Sequence, residues 1–291
     1  MVIIHKRLLK FFIDLVLRRE KQKSVLESKK TKIIKKQIQN VNKKEKKLLN
    51  KKELTFIKNQ AAPIQKKIES KIPENLQLTL ERVFVTSFKM VFEKGTGVIE
   101  KSYNKEDKCL TFEVNHYTIV KQTNSKNLRK IDGAAQKSIW MNQFLTTVEG
   151  SALGALGIGL PDIPLLIGMI LKNIYEISLS YGFDYTQEKE KIYILYLICA
   201  GVSKGEQQVG YSKLLDEMIN PKSQVNVEDY SREVVIKETA HQLAESMLVA
   251  KFIQGLPLIG VVGGISNFTM MKEISSMAKI KYKQRYLKQL L

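Results

Sequence analysis

The chain has 291 residues, of which 44% are hydrophobic, so it can bury a substantial core in one large domain or two modest ones. Its 48 basic residues exceed its 29 acidic ones by 19, which favours anionic partners such as phospholipid head groups or nucleic acid. The two cysteines, Cys109 and Cys199, lack Cys-x-x-Cys spacing, which argues against a disulfide scaffold or a thiolate zinc site.

The positive charge is confined to the two ends of the chain. Residues 1–59 hold 19 basic and 5 acidic residues, and residues 272–291 hold 6 and 1. The stretch between them holds 23 of each sign and is neutral. This pattern predicts a basic N-terminal extension at residues 1–59, followed by a helical domain at residues 60–291.

Residues 1–19 place apolar side chains at helical spacing, with charged residues on another ridge. The charges leave no unbroken apolar run of the kind that a signal peptide needs, so we expect an unsecreted protein. The pattern predicts an amphipathic helix that either lies in the plane of an anionic membrane or packs on the domain. The side chains expected to contact the membrane are Ile4, Lys6, Arg7, Leu8, Phe11, Phe12 and Leu15.

Residues 20–59 are rich in Lys, Gln, Asn and Glu, and their apolar residues thin to a heptad-like track that Glu45 and Lys52 interrupt. We expect a frayed or solvated helical linker rather than a sustained coiled coil. No aromatic residue lies between Phe12 and Phe56, so the stacking side chains of single-strand nucleic-acid binders are missing and nucleic acid is not the expected partner. The track consists of Ile34, Ile38, Val41 and Leu48.

Helical patterns dominate the domain and predict an all-α fold, a compact bundle of several helices. One helix is expected over residues 73–94 and another over residues 128–149. Residues 103–125 between them are polar and irregular. Two short stretches in that interval, Thr111–Val114 and Tyr117–Val120, have the composition of paired strands.

Two apolar segments, Gly150–Leu171 and Phe252–Met271, have 22 and 20 residues and contain a single acidic residue, Asp162. Each is long enough to cross a bilayer, but each also contains Gly-Leu-Pro, and proline breaks or kinks a helix. We therefore expect two Gly/Pro-rich hairpins, which lie either inside a soluble bundle or in lipid. The hairpin residues are Gly150, Gly154, Gly159, Pro161, Pro164, Gly255, Pro257, Gly260 and Gly264.

Several motifs in and after the first apolar segment have a specific order and spacing. They are Glu149-Gly150, Gly159-Leu160-Pro161-Asp162-Ile163-Pro164-Leu165-Leu166, Tyr175-Glu176-Ile177 and Tyr181-Gly182-Phe183-Asp184. Two further stretches lead from Lys71-Ile72-Pro73 to Gly95-Thr96-Gly97, and from Pro257-Leu258-Ile259-Gly260 to Asn267 and Arg285. In these motifs, residues 60–291 resemble the EcsC family of bacterial proteins.

The resemblance implies a helical protein associated with a membrane. Because the family is named for a gene beside those of an ABC transporter, it also implies an accessory role for such a transporter or another envelope assembly. It implies no particular reaction. The motifs, taken with the charges in the apolar stretches, give the candidate functional residues Glu149, Asp162, Glu176, Asp184 and Asn267.

Some of these carboxylates have structural explanations. Asp162 and Glu176 lie 14 residues apart, too far for concerted acid and base catalysis, and Asp162 suits the N-cap of a helix that begins at Ile163. Glu176 can form an exposed i,i+4 pair with Lys172. Glu149 has no such neighbour, which leaves it the most open to a functional role.

Glu238, His241 and Glu245 share one helical face at a spacing found among di-iron ligands, but the second set that such a site needs is lacking. They are weak metal candidates, and we expect no cofactor. The sequence lacks nucleotide-binding, nucleophile-elbow and zinc-protease motifs, so an enzymatic role has little support.

The sequence thus favours a non-enzymatic accessory or regulatory protein bound to an anionic surface on the cytoplasmic side of the cell membrane. Two alternatives stay open. One is a colicin-like module that inserts its Gly-rich hairpins into lipid, and the other is a metal-dependent enzyme that uses Glu238 and His241.

Overall fold

The structure is a computed structural model that describes residues 2–50, 73–154, 163–225, 227–253 and 264–291. Side chains are described for the same ranges except residues 2–16, 94, 140–154, 228, 250–253 and 264–268. Regular structure in these ranges is entirely helical, which confirms the predicted all-α bundle.

The described residues form ten α-helices, numbered in chain order. They are α1 (Val2–Leu49), α2 (Glu74–Met90), α3 (Thr96–Lys101), α4 (Lys105–Lys121), α5 (Ser125–Gly154), α6 (Ile163–Ser180), α7 (Glu188–Val202), α8 (Gly205–Met218), α9 (Arg232–Ile253) and α10 (Gly264–Gln289). A π-helical turn, Val91–Gly95, joins α2 to α3, and a 3-10 turn, Val227–Asp229, precedes α9.

Helix α1 is continuous from the N-terminal amphipathic stretch into the predicted linker. Every side chain from Leu17 to Lys29 is exposed, as expected for a solvated helix. Farther along, the helix packs on α10, and Ile34 and Val41 are buried in the core. The prediction of a solvated linker is wrong for this part, because its apolar track meets an apolar face of the bundle. The domain boundary after residue 59 lies outside the described residues and stays a prediction.

Two predicted helices are confirmed. Helix α2 begins at Glu74, directly after Pro73, whose extended backbone ends the preceding segment. Helix α5 covers the whole of the expected span, residues 128–149, and continues to Gly154.

The two predicted strands are wrong, because residues 105–121 form helix α4. The Asn104 side chain accepts a hydrogen bond from the backbone N–H of Asp107 at 2.9 Å and caps the helix start. Near the other end of the helix, Ile119 is fully buried in the bundle. The helix cap and the packing of Ile119 and the partly buried Phe112 outweigh the β-propensity of the Thr and Val residues in this segment.

Helix α6 forms the centre of the bundle, where it contacts α2, α4, α5 and α10. Among the described helices it alone is long and apolar enough to cross a membrane. However, 72% of Ile163–Ser180 is buried by other helices. Its apolar composition therefore has a sufficient explanation in core packing.

The direction of α5 relative to α10 follows from two side-chain contacts. Lys279 of α10 donates to the side-chain amide oxygen of Gln136 on α5 at 2.7 Å, and Lys283 pairs with Asp132. Because the residue numbers rise along one helix and fall along the other, α5 and α10 are antiparallel.

Similar contacts orient the neighbouring helices. Asn173 donates to Ser275, and the rings of Tyr181 and Tyr286 are in contact, so α6 runs parallel to α10. Helix α7 runs antiparallel to α10, since Glu190 at its start bonds Arg285 and Lys204 just past its end bonds Glu273. Helix α9 runs parallel to α7 through the pairs Thr239 with Cys199 and Gln242 with Ser203.

These directions bring four helix ends to the same end of the bundle, here termed the loop end. Helices α5 and α9 finish there, at Gly154 and Ile253, and helices α6 and α10 begin there, at Ile163 and Gly264. The turns of the two predicted hairpins, residues 155–162 and 254–263, connect these helix ends and lie outside the described residues.

Helix α1 leaves the bundle at the opposite end. Lys281 of α10 pairs with Glu45 at 2.6 Å, and Gln284 donates to Asn42 at 3.0 Å, so α1 is antiparallel to α10. Its N-terminal half therefore extends past the C-terminus of α10. At 1.5 Å per residue, the helix between residues 2 and 34 is about 48 Å long. The exposed stretch Leu17–Lys29 is here termed the arm.

Candidate functional site

Glu176 is a buried carboxylate on the central helix α6, with a side chain that is only 7% exposed. Its Oε2 lies 2.7 Å from the Lys108 ammonium of α4, and its Oε1 lies 3.8 Å from Lys172. The predicted Lys172 pair is thus present, but the prediction that it is exposed is wrong. Burial requires the second cation, because an uncompensated carboxylate in the core would be strongly destabilising.

The neighbouring residue, Tyr175, packs against a hydrogen-bonded pair of tyrosines. Its ring stacks on Tyr185 with 3.9 Å between centroids and 6° between planes. The Tyr185 hydroxyl donates to Glu100 at 2.6 Å and accepts from the Tyr103 hydroxyl at 2.7 Å. Burial, aided by the Glu100 charge, raises the pKa of both Tyr103 and Tyr185. The phenols therefore stay protonated and act as hydrogen-bond donors rather than as bases.

The Tyr181–Asp184 motif forms the turn that ends α6. Gly182 adopts a positive φ of 82°, and a Cβ at this position would lie 2.2 Å from the Phe112 ring. Only glycine fits both the backbone conformation and the space. Asp184 is exposed and accepts from the backbone N–H of Thr186 at 3.0 Å, so it fixes the loop before α7.

Arg285 of α10 forms a second buried cluster behind this turn. Its guanidinium donates to both oxygens of Glu190, at 2.7 and 2.9 Å, in the bidentate geometry that favours arginine over lysine. It also lies 4.0 Å from the Phe183 ring centroid and 4.4 Å from that of Tyr193. The cluster ties α7 and the α6–α7 turn to α10.

Lys281, one helical turn before Arg285, is completely buried. Its ammonium lies 2.6 Å from Glu45 of α1 and 3.0 Å from Asp216 of α8, and it donates to the Ser212 carbonyl at 2.8 Å. Glu45 also accepts from the Ser212 hydroxyl at 2.6 Å. This network anchors α1 to the bundle through charge as well as apolar packing.

Half of the six basic residues at the C-terminus are therefore not available to a membrane surface. Lys281, Lys283 and Arg285 all form ion pairs with carboxylates of other helices. Their charge is largely neutralised inside the bundle.

The weak metal candidates lie on α9 as predicted but do not converge. His241 Nδ1 lies 2.7 Å from Glu81 of α2, whereas Glu245 is 4.0 Å from His241 Nε2. Glu238 instead accepts from the Tyr211 hydroxyl. In the described residues no group of three or more His, Cys, Asp and Glu side chains could hold a metal ion. The metal-dependent alternative thus gains no geometric support.

Cys199 could be considered as a nucleophile, but it is fully buried in α7. Burial raises the pKa of its thiol to about 12, so the reactive thiolate is absent at neutral pH. The buried polar groups described above hold helices together, and none combines a nucleophile with a base in an open cavity.

For the other predicted site residues, either the residue or its side chain lies outside the described part of the chain. Asp162 lies outside the described residues, and its capping of the helix that contains Ile163 stays a prediction. Glu149 and Asn267 belong to α5 and α10, and their side chains are not among those described. The membrane-contact candidates at residues 4–15 belong to α1, and the same holds for their side chains.

Sequence reasoning missed the Lys281 and Arg285 clusters. One signal was present, because Lys281 and Arg285 are four residues apart on a helix whose Tyr282 and Tyr286 are apolar in character. Basic residues at core spacing indicate buried pairs rather than a solvated face.

Comparison with known proteins agrees with the motifs. Residues 35–287 match the EcsC protein family. Protein EcsC of Bacillus subtilis (strain 168) is 24% identical over 229 residues, which cover 78% of this chain and 85% of that protein. Uncharacterized protein YdbA of the same organism is 26% identical over 152 residues, which cover 48% of this chain and 52% of that protein. No solved structure matches. The family match begins inside α1, at the part that packs on the bundle, and it spans most of the molecule; the chain belongs to the EcsC protein family.

Proposed function

We propose that this protein is a non-enzymatic accessory protein that docks on an anionic membrane surface through the arm of α1. The observation that carries the proposal is the exposure of every arm side chain. The arm is basic because Glu20 and Glu27 are outnumbered by Arg18, Arg19, Lys21, Lys23 and Lys29. Each basic residue near an anionic leaflet contributes about 1 kcal/mol to adsorption.

The position of the arm supports this role. It extends from the end of the bundle opposite the loop end, so the bundle does not obstruct its approach to a flat surface. The amphipathic residues 1–16 precede it and are expected to insert their apolar side chains at the interface. In this proposal the membrane is the cell membrane, contacted from its cytoplasmic side.

Vesicle flotation of the full-length protein tests the proposal. A variant with Arg18, Arg19, Lys21 and Lys23 changed to Gln loses four exposed charges from the arm. A matched control loses four exposed charges from the bundle through Lys101→Gln, Lys137→Gln, Lys222→Gln and Lys237→Gln. On vesicles containing phosphatidylglycerol at low salt, the arm variant should bind about 100- to 1,000-fold more weakly than the wild type.

The control should bind nearly as well as the wild type. If both variants lose affinity equally, attraction by the net charge of the molecule accounts for binding and the arm has no special role. If the wild type ignores anionic vesicles, the proposal is wrong.

The expected partner on the membrane is a transport or envelope assembly such as an ABC exporter. This expectation rests on the family resemblance, which the family match supports only at the level of membership. Reciprocal co-purification from detergent-solubilised membranes tests it, with the arm variant as the comparison. Co-purification of an exporter with the wild type but not with the arm variant would support the proposal.

Insertion of the loop end into lipid is the alternative, and one observation favours it. The two connecting segments, whose single charged residue is Asp162, join helices that start or finish at the same end of the bundle, so they can approach a bilayer together. This mode predicts resistance to alkaline carbonate washing and protease-protected fragments that contain residues 150–171 and 252–271. Complete release by carbonate would contradict it.

A further inference from the structure

A polar cleft lies where α1, α5 and α10 meet, near the end of the bundle at which α1 departs. Its volume is about 360 Å³. Four charged residues line it: Lys44 from α1, Arg129 and Asp132 from α5, and Lys283 from α10. Three helices thus contribute three cations and one carboxylate to a single concavity.

The carboxylate is already engaged. Asp132 pairs with Lys283 and accepts from the Tyr181 hydroxyl at 3.0 Å. Within the described part of the chain, no carboxylate forms an ion pair with Lys44 or Arg129. The cleft therefore has a positive charge that the protein itself does not neutralise.

A fourth cation, Lys279, lies beside the cleft and is repelled by its positive charge. Lys279 is partly buried and donates to a neutral acceptor, the side-chain amide oxygen Oε1 of Gln136, at 2.7 Å. Burial lowers the pKa of Lys279, and repulsion from Lys44 and Lys283 adds to this effect against the attraction of Asp132. A bound anion would relieve the repulsion.

The neutral side chains that line the cleft indicate which type of anion it would bind. Gln37, Asn40 and Ser125 offer amide and hydroxyl groups, which suit the hydroxyls of a polyol. Among the described residues, no aromatic side chain lines the cleft, so a stacked nucleobase has no platform there. The volume is at the lower end of the range of about 300–1,000 Å³ found for small-molecule sites.

We propose that this cleft binds a phosphorylated polyol, with Lys44 and Arg129 on the phosphate and the neutral side chains on the polyol. The phosphate belongs either to a lipid head group, such as that of phosphatidylglycerol, or to a free compound such as glycerol phosphate. The chemistry of recognition is the same for both sources. The inference does not depend on adsorption of the arm to a membrane.

Titration calorimetry of the full-length protein with glycerol phosphate tests the soluble source. The double variant Lys44→Gln with Arg129→Gln removes two cations from the cleft. The matched control, Lys43→Gln with Lys130→Gln, removes two exposed cations from adjacent positions that do not line it. The cleft variant should bind about tenfold more weakly or worse, because two charge-assisted contacts are lost, and the control should bind like the wild type.

Flotation on phosphatidylglycerol vesicles tests the lipid source. The cleft double variant and the control double variant are each made in the protein whose Arg18, Arg19, Lys21 and Lys23 are changed to Gln. That background removes adsorption by the arm, so failure of the proposed docking function does not affect the result. A selective loss of binding by the cleft variant in either experiment supports the site and identifies its source. Absence of binding in both experiments, or an equal loss in the two pairs, would overturn it.

Discussion

The Lys281 ammonium lies 2.6 Å from the Glu45 carboxylate and joins the last helix of the chain to the first. Lys281 is completely buried, and Glu45 is 8% exposed. Glu45 is one of the two residues that interrupt the apolar track of the predicted linker. Its charge is compatible with burial because the opposite charge of Lys281 on α10 lies beside it.

Lys281→Met should lower the free energy of unfolding by about 3–5 kcal/mol, because it leaves the buried Glu45 carboxylate without its cation. Urea unfolding at neutral pH measures the loss. Lys288→Met, an exposed change on the same helix, serves as the control and should have little effect. Addition of Glu45→Gln to Lys281→Met should cost less than the sum of the single changes, and strict additivity would contradict the pairing.

The same pair predicts a pH dependence. Burial by itself raises the pKa of Glu45, but the Lys281 charge and hydrogen bonds from Lys281, Ser212 and Gln284 outweigh it, so the pKa is lowered from 4.5. A lowered pKa contributes stability above the unfolded-state value and loses it as the pH falls through the folded-state value. Glu45→Gln should therefore be less stable than the wild type at pH 7, and the difference should shrink below pH 4.5. Urea midpoints across this range measure it, and a constant difference would refute the assignment.

Gly182→Ala should be destabilising, because the new methyl group would clash with Phe112 and the backbone φ is positive. We expect a loss of at least about 1–2 kcal/mol in the free energy of unfolding. Gly210→Ala is the matched comparison, since Gly210 lies inside helix α8 with open space around it. It should instead stabilise the protein by about 0.5–1 kcal/mol, and thermal unfolding of both variants would show whether their effects have opposite signs.

Arg285→Lys should destabilise the protein although it keeps the charge. Lysine cannot form both hydrogen bonds to Glu190 or stack on the Phe183 ring in the same way. A loss of about 2 kcal/mol in unfolding free energy is expected. A variant as stable as the wild type would show that the bidentate geometry is unimportant.

The sequence predicted the helical class, the start of α2 and the span of α5, because these depend on local periodicity and proline. It failed at α4, where the Thr and Val content favoured strands although Asn104 followed by Glu106 and Asp107 is a helix-start signal.

The buried ion pairs could not be predicted from local sequence patterns. Lys281 and Glu45 are separated by most of the length of the chain, so no short stretch of sequence contains both. The sequence could therefore show that the C-terminus is basic, but only the fold shows that Lys281, Lys283 and Arg285 face carboxylates rather than a membrane.

The docking mode can be measured most directly by depth-dependent fluorescence quenching on phosphatidylglycerol vesicles. A fluorophore is attached through Val25→Cys on the arm or through Leu258→Cys between α9 and α10, in a protein whose Cys109 and Cys199 are replaced by Ala. Quenchers placed in the lipid should quench the Val25 probe at a shallow depth and leave the Leu258 probe unaffected. Deep quenching at Leu258 with none at Val25 would contradict docking through the arm and establish the loop end as the membrane contact.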